Sequence, residues 1–428
     1  MIPLPLPRRS PTRAGVIAAG LTLCAALPAF AQESKSAAAF ALPDGDAKPT
    51  VEKACVGCHD LGRIVNANHS PAEWRNVVNM MMTAGARLTP EQKQAVTDYL
   101  IEKFPAKAKP QPVIAAGPVQ VLFHEWQAPT PGSRPHDPLA TPDGAIWYTG
   151  QMANLLGRVD PQTGAIREYP LKTPASGPHG LTDDSDGNIW FTANFAGYVG
   201  KLDPKTGTVA EYRMPDPAAR DPHTLLFDRA GILWFTVQNG NMIGRLDPNT
   251  GAIKLVTVPT PRALPYGMAL SADGETVFVD LFGTNKIAAV DRTTMALREY
   301  PLPDAGSRPR RIAVTGDGTV WYSDYARGRL GRLDPQSGQV TEYPSPGGPG
   351  AQPYGITALN DVVWYVETGP QPNALVRFDP KSGRFQTWAI PSGGGVVRNM
   401  MPTRDGNLAL ACSGVNGIAL VEIKNGGS

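Results

Sequence analysis

Residues 178–213 read PHGLTDDSDGNIWFTANFAGYVGKLDPKTGTVAEYR. Four short β-like runs lie in this stretch: Leu181-Thr182, Ile189 to Thr192, Val199 to Leu202, and Val209 to Tyr212. Turn-forming Asp186-Gly187 and Asp203 to Gly207 separate them. The same phrase returns along the chain, and the aspartate of its second turn marks the period. It stands at Asp160, Asp203, Asp247, Asp291, Asp334 and Asp379, at intervals of 43 to 45 residues, and Glu422 continues the series. A period in the low forties with four strands per unit reads as a β-propeller blade. One four-stranded sheet cannot bury both of its faces and must stack on neighbours around a ring. Seven repeats predict seven blades over residues 119–428.

The ring also carries a predicted clasp. The last repeat supplies only three runs, Val396 to Thr403, Asn407 to Ala411 and Ile418 to Ile423, whereas Val119 to Trp126 is an unpaired run ahead of the first repeat. That N-terminal strand is expected to complete the last blade. The pairs Trp147-Tyr148, Trp190-Phe191, Trp234-Phe235, Trp321-Tyr322 and Trp364-Tyr365 recur at one position of the repeat, which suits packing between blades better than ligand binding. The 45 glycines and 43 prolines recur in the turns of the repeat, so they are read as turns and not as disorder. A net charge of +2 with the two signs interspersed gives no basic surface for nucleic acid.

Ahead of the repeats the pattern changes. Arg8, Arg9 and Arg13, an uncharged run from Ala14 to Leu27 and the small-x-small Ala29-Phe30-Ala31 read as a signal peptide over residues 1–31. A periplasmic or secreted protein is expected, without a membrane span after cleavage, because no later run is long and apolar enough. Residues 32–47 have the composition of a flexible segment. Residues 48–104 are helical in pattern: Ser70-Pro71-Ala72-Glu73 and Thr89-Pro90-Glu91-Gln92 each open a helix with a capping box and a proline, and Ala95, Val96, Tyr99 and Leu100 are expected on one face. Residues 105–118, with their Pro, Ala and Lys, read as a linker. The fold class expected is mainly β, a seven-bladed β-propeller preceded by a small all-α domain.

Cys55-Val56-Gly57-Cys58-His59 is the attachment pattern of a c-type haem. Two thiols three positions apart reach the two vinyl groups of one porphyrin, and the adjacent imidazole of His59 is placed to bind the iron. A zinc site would need more Cys or His nearby, and a thioredoxin-type pair would sit in a βαβ unit. Met81 is the expected sixth ligand, because Trp74, Val77, Val78 and Met81 share one helical face; Met80 and Met82 suit core filling better, and His69 is a competing ligand. Cys412, left over once Cys55 and Cys58 are used, reads as a buried strand thiol.

With Arg63-Ile64, Trp74, Val77-Val78, Met81, Gly85-Ala86 and Leu88-Thr89 following the Cys-x-x-Cys-His pattern, residues 48–104 resemble the small single-haem cytochrome c domains appended to periplasmic enzymes. The resemblance implies one covalent haem c, electron transfer and a periplasmic redox partner. Residues 119–428 resemble the streptogramin lyase (virginiamycin B lyase) family of seven-bladed propellers. The resemblance rests on Pro-His-Gly-Leu at Pro178 to Leu181, Pro-Tyr-Gly-Ile at Pro353 to Ile356, Trp-Phe-Thr at Trp190 and Trp234, and the repeated Gly-Arg-Leu-Asp. It implies elimination on a cyclic depsipeptide by histidines of the last two blades with glutamates and a magnesium ion. Here the last two blades offer Tyr354 and Arg398 instead. A rotated site would use His179 and His223 with Asp221, although Gln238 stands where the family has a glutamate.

One residue per blade begins each innermost strand: His136, His179, His223, Tyr266, Arg310, Tyr354 and Arg398. Converging at the mouth of the central channel, they form a ring suited to an anionic or small polar ligand, with Asp280, Asp324 and Glu367 as its acidic side. The expected function is an exported c-type cytochrome with a ligand- or partner-binding propeller. The alternatives are a lyase of the virginiamycin B type, with magnesium, or a non-catalytic scaffold. If the protein is an enzyme, it is a redox component or such a lyase.

Overall fold

The computed structural model describes residues 41–55 and 61–425. The expected signal peptide, Cys58 and His59 lie outside these residues. Seven four-stranded antiparallel sheets follow one another, at 135–170, 178–213, 222–257, 265–301, 309–344 and 353–389 (blades 1 to 6), with blade 7 built from both ends of the propeller. In blade 7 the order runs from Val119–Gln127 through Gly417–Asn425 and Leu408–Cys412 to Val397–Pro402. Val119 pairs with Asn425 and Gln127 with Gly417, so the first strand of the propeller closes the ring. This explains why Glu422 carries no turn aspartate: the strand runs on to meet its N-terminal partner. Elsewhere the turn aspartate accepts amides two and three residues ahead, as Asp160 does from Gln162 and Thr163, which fixes the hairpin.

Each tryptophan of the repeat packs into the blade that follows. Trp190 lies among Leu225, Leu233 and Phe235 of blade 3, Trp234 among Val277, Val279 and Leu281 of blade 4, and Trp364 against Met400 and Leu410 of blade 7. The indole nitrogens stay satisfied: Trp190 and Trp234 donate to Asp184 and Asp228 of their own turns at 2.7 and 2.9 Å. Cys412 is buried on its strand, and burial pushes its thiol up.

The glycine of Gly-Arg-Leu-Asp has a steric cause. In blades 1, 2, 3 and 5 it pairs across the sheet with the aromatic residue after tryptophan, and a Cβ on Gly157, Gly200, Gly244 or Gly331 would come within about 2 Å of that ring. Where the aromatic is replaced, the glycine is released: Val279 of blade 4 faces Ala288. Blade 6 departs from this, with Tyr365 facing Val376. Gly244→Ala is therefore expected to cost about 1–3 kcal/mol by overpacking. Adding Phe235→Val, which copies blade 4, should leave the double variant more stable than the sum of the single effects by over about 1 kcal/mol in chemical denaturation. Additive costs would show that the ring does not exclude the methyl group.

Four helices precede the propeller: α1 (Lys48–Cys55), α2 (Gly62–Val65), α3 (Pro71–Thr83) and α4 (Pro90–Lys103). Both expected capping boxes form, Ser70 with Glu73 and Thr89 with Gln92. On α4, Val96, Tyr99 and Leu100 are buried, but Ala95 is exposed; Thr97 is buried instead and turns its hydroxyl back to the Lys93 carbonyl. The segment expected to be flexible is docked at its end. Leu42 and Ala47 are buried in the helical core, and Tyr99 donates to the Pro43 carbonyl.

The helical layer rests on the propeller. Asn76 of α3 donates to the Gly414 carbonyl at 2.9 Å and Thr83 to that of Pro131 at 3.1 Å. Gly132 approaches so closely that a Cβ would lie 2.4 Å from the Met80 backbone nitrogen. The segment 105–118 has neither helix nor strand within 105–117, yet it is strapped along blade 6, where Ala115 and Thr387 exchange hydrogen bonds and Gln371 donates to Pro110. No helix of the described residues is long and apolar enough to cross a membrane.

Candidate functional site

Every innermost strand breaks register after its first residue, in blade 3 between Pro222 and Leu225, in blade 1 between Pro135 and Pro138 and in blade 7 between Val397 and Met400. Such bulges re-aim side chains. Here they turn two consecutive residues per blade into the channel, making two tiers. The first is the expected ring of His136, His179, His223, Tyr266, Arg310, Tyr354 and Arg398; the second runs Asp137, Gly180, Thr224, Gly267, Arg311, Gly355 and Asn399.

In blades 1, 2, 3 and 5 a hydroxyl on the neighbouring strand locks the bulge. Thr192 accepts from the Gly180 amide and donates to the His223 carbonyl of the next blade; Thr149, Thr236 and Ser323 do the same for their bulges. The threonine of Trp-Phe-Thr is thus a clasp between blades. Asp280 takes its place in blade 4, accepting from the Gly267 amide, and burial raises its carboxyl well above the usual range. Asp324 and Glu367 face loops and not the ring: Asp324 accepts from the Arg308 amide, Glu367 from Ser345 and Gly347.

In the first tier the side chains close on one another. The rings of His136, His179 and His223 follow at centroid spacings of 3.7 Å, and Tyr266 continues the series at 4.0 Å. Tyr266 and Tyr354 share a hydrogen bond of 2.5 Å, and the Arg310 guanidinium lies 3.8 Å from the Tyr354 ring centre. The three histidines are only 2–3% exposed. Burial first, and then Arg398 at His136, the neighbouring imidazoles at His179 and Arg311 at His223, holds all three imidazoles well below their usual pKa, so they are neutral at neutral pH. For Tyr354, burial alone would raise the phenol, but Arg310, Arg398 and Arg311 outweigh it and bring it down to about 8.

The second tier holds an ion pair across the channel. Arg311 of blade 5 meets Asp137 of blade 1 at 2.9 Å, both 4% exposed, and Asn399 and His136 complete the carboxylate's partners. Asp137 was not singled out in the sequence, although it directly follows His136 in the bulge. It is the carboxylate acting on His223, whereas Asp221 is committed to the amides of Asn239 and Gly240 and to the Asn239 side chain. His136, Asp137 and His179 bring one ligand atom each within 4.8 Å of one another, but Arg311 already occupies the carboxylate.

Directly over this ring lies a cavity of about 520 Å³ between α3 and the mouth of the propeller. Ile64, Trp74, Val78 and Leu100 form its apolar side. Cys55 lies on its wall with Met80, Met81 and His69; Met82 does not line it. From the propeller come Arg134, Arg398 and Phe195.

The sequence matches the virginiamycin B lyase family over residues 114–281 and 276–427. The chain belongs to that family. Among solved structures, a streptogramin B lyase is 28% identical, with a TM-score of 0.64, over 71% of this chain and 98% of that one. Selenomethionine-substituted virginiamycin B lyase from Staphylococcus aureus is 25% identical, with the same TM-score, over 71% and 99%. No curated protein matches the chain. In this virginiamycin B lyase family propeller the helices cover the mouth, and the ring side chains pack on each other.

Proposed function

We propose that this protein is an exported electron-transfer protein that carries one covalent haem c in the cavity between the helical layer and the propeller. Cys55 and Cys58 are the attachment thiols, and His59 and Met81 the iron ligands. The observation that carries the reading is the cavity itself. It is of ligand size, apolar on its helical side, and lined both by Cys55 of the attachment motif and by Met81. These residues suit the group: thioether sulfur is a soft ligand for haem iron, and the apolar wall of α3 and α4 excludes water from a porphyrin face. A bound haem c supplies a one-electron couple. The chain's own part is to hold that couple dry, to set its potential through Met81 and the nearby charges, and to present the propeller to a redox partner. Covalent attachment outside the cytoplasm agrees with the signal peptide expected from the sequence of residues 1–31.

A second reading, a lyase on a cyclic ester using His179, His223 and Asp221, is favoured by family membership. Its chemistry is short of a base and of a metal site. Asp221 is engaged by amides, Gln238 is neutral, and magnesium requires oxygen ligands with carboxylate charge. The funnel ring as a ligand site belongs to the same question, since the ring lies under the cavity.

Expression of the mature chain with haem-attachment machinery is expected to give a low-spin c-type spectrum that survives denaturation, and Cys55→Ala with Cys58→Ala should abolish it. Met81→Ala should open the sixth position and lower the potential more than Met80→Ala. Haem extractable into acidified organic solvent would overturn the covalent reading. Magnesium-dependent opening of a streptogramin at about 1 to 1,000 per second by the haem-free protein would establish the lyase instead.

A further inference from the structure

We propose that Arg134 and Arg398, both from the propeller, bind the two carboxylates of the haem, so that the propeller forms the polar wall of the haem site. The inference rests on the haem reading above and adds to it a role for the family's propeller mouth.

The cavity has two unlike walls. α3 and α4 contribute apolar side chains, whereas the propeller contributes the guanidiniums of Arg134 and Arg398, and Arg63 of α2 adds a third cation. Among the described residues only one carboxylate, Glu73, lines the same space, and it is already used: its oxygens accept from the Ser70 amide at 2.6 Å and meet Lys109 at 3.4 Å. Among the described residues neither Arg134 nor Arg398 takes part in an ion pair. Arg134 donates to the neutral Gln151 side chain at 2.9 Å, and the buried Nε of Arg398 has no partner. Half-buried cations without counter-charge are costly, and a guanidinium matches a carboxylate in a two-point hydrogen bond.

The backbone supports this placement. Arg134 sits at φ 56°, a left-handed conformation unfavourable for a branched-Cβ or bulky side chain, and its amide is tied to Asn416. Arg398 stands in the bulge of blade 7 and lines the cavity from the first tier. Burial first, and then Arg398, brings Arg134 down to about 9. The same two arginines line the cavity and act on His136, so their charge reaches both the cavity and the ring. A flat apolar molecule with an acidic edge is the ligand class that fits such a space, its edge toward the propeller.

The test uses the haem-loaded full chain. Arg134→Gln with Arg398→Gln removes two positive charges beside the iron, which stabilises the oxidised state. The ratio of oxidised to reduced protein at a fixed potential should rise at least tenfold, equivalent to a midpoint about 59 mV lower for one electron. The covalent spectrum should persist, because Cys55 and Cys58 are untouched. Arg134→Lys with Arg398→Lys should stay near the wild-type potential, and Arg384→Gln, exposed on the outer strand of blade 6, should not change it. Resonance Raman of the unmodified protein reads the propionate bending bands directly and does not depend on a variant folding. Hydrogen-bonded propionates that loosen in Arg398→Gln are expected. Free propionates in the wild type, or an unchanged potential in a folded double variant, would overturn the inference while leaving the haem reading intact. A wild-type protein without covalent haem would remove the haem reading itself.

Discussion

Arg311→Met is expected to destabilise the propeller by about 3–5 kcal/mol at neutral pH, the usual cost of removing one partner of a buried ion pair. The reason is what it leaves behind. Asp137 would remain 4% exposed in the channel, holding only Asn399 and His136, with the counter-charge from blade 5 gone. The pair also joins blades 1 and 5 across the ring, so its loss removes a tie that no sheet hydrogen bond replaces. Arg311→Met combined with Asp137→Leu should recover most of the loss, because a well-packed apolar replacement avoids desolvating either charge. Acidification should narrow the gap between the single variant and the wild type, since His136, 2.9 Å from Asp137, takes a proton more readily beside a carboxylate that has lost Arg311. Chemical denaturation of the single and double variants at neutral and mildly acidic pH measures all three effects. A single-variant cost under about 1 kcal/mol, or no recovery in the double, would show that the pair does not brace the channel.

Acid stability should depend on the three stacked histidines. Each is held well below its usual pKa, by burial first, so the folded ring refuses protons that the unfolded chain accepts near 6.5. Stability therefore falls as pH drops below about 6.5, by up to about 1.4 kcal/mol per pH unit for each histidine. Asp280 and Glu367 act in the opposite direction: burial raises both carboxyls, so the folded state keeps protons that the unfolded chain has lost. The clean quantity is accordingly a difference in slope. His179→Asn should reduce the pH dependence of the unfolding free energy between about pH 6.5 and 5 by about one proton, or about 1.4 kcal/mol per unit. An unchanged slope would mean that His179 titrates alike in both states and that its position in the stack is not one of enforced neutrality.

The architecture of the propeller was legible because its determinants are local and repeated. A turn aspartate, a glycine under an aromatic ring and a tryptophan needing a neighbouring blade recur every 43 to 45 residues, and each is a short-range steric or hydrogen-bonding requirement. The closing strand was readable for a related reason: three runs at one end and one at the other leave a single way to satisfy the backbone of the last sheet. The capping boxes of α3 and α4 belong to the same class of local signal.

What the sequence alone determined is thus the period, the number of blades, the clasp and the seven residues of the first tier, each one position inside its innermost strand. Tertiary structure alone decided what those residues do. That Asp137 and not Asp221 is the carboxylate of the channel depends on a bulge and on Arg311, 174 positions away. That the ring closes on itself under a helical layer, with Arg134 and Arg398 facing Cys55 and Met81 across a cavity, depends on Gly132 admitting α3 to the mouth. Sequence spacing records which residues share a strand; burial and charge pairing arise only when strands distant in the chain surround the same small volume, and there a missing counter-ion or an unpaired nitrogen becomes visible.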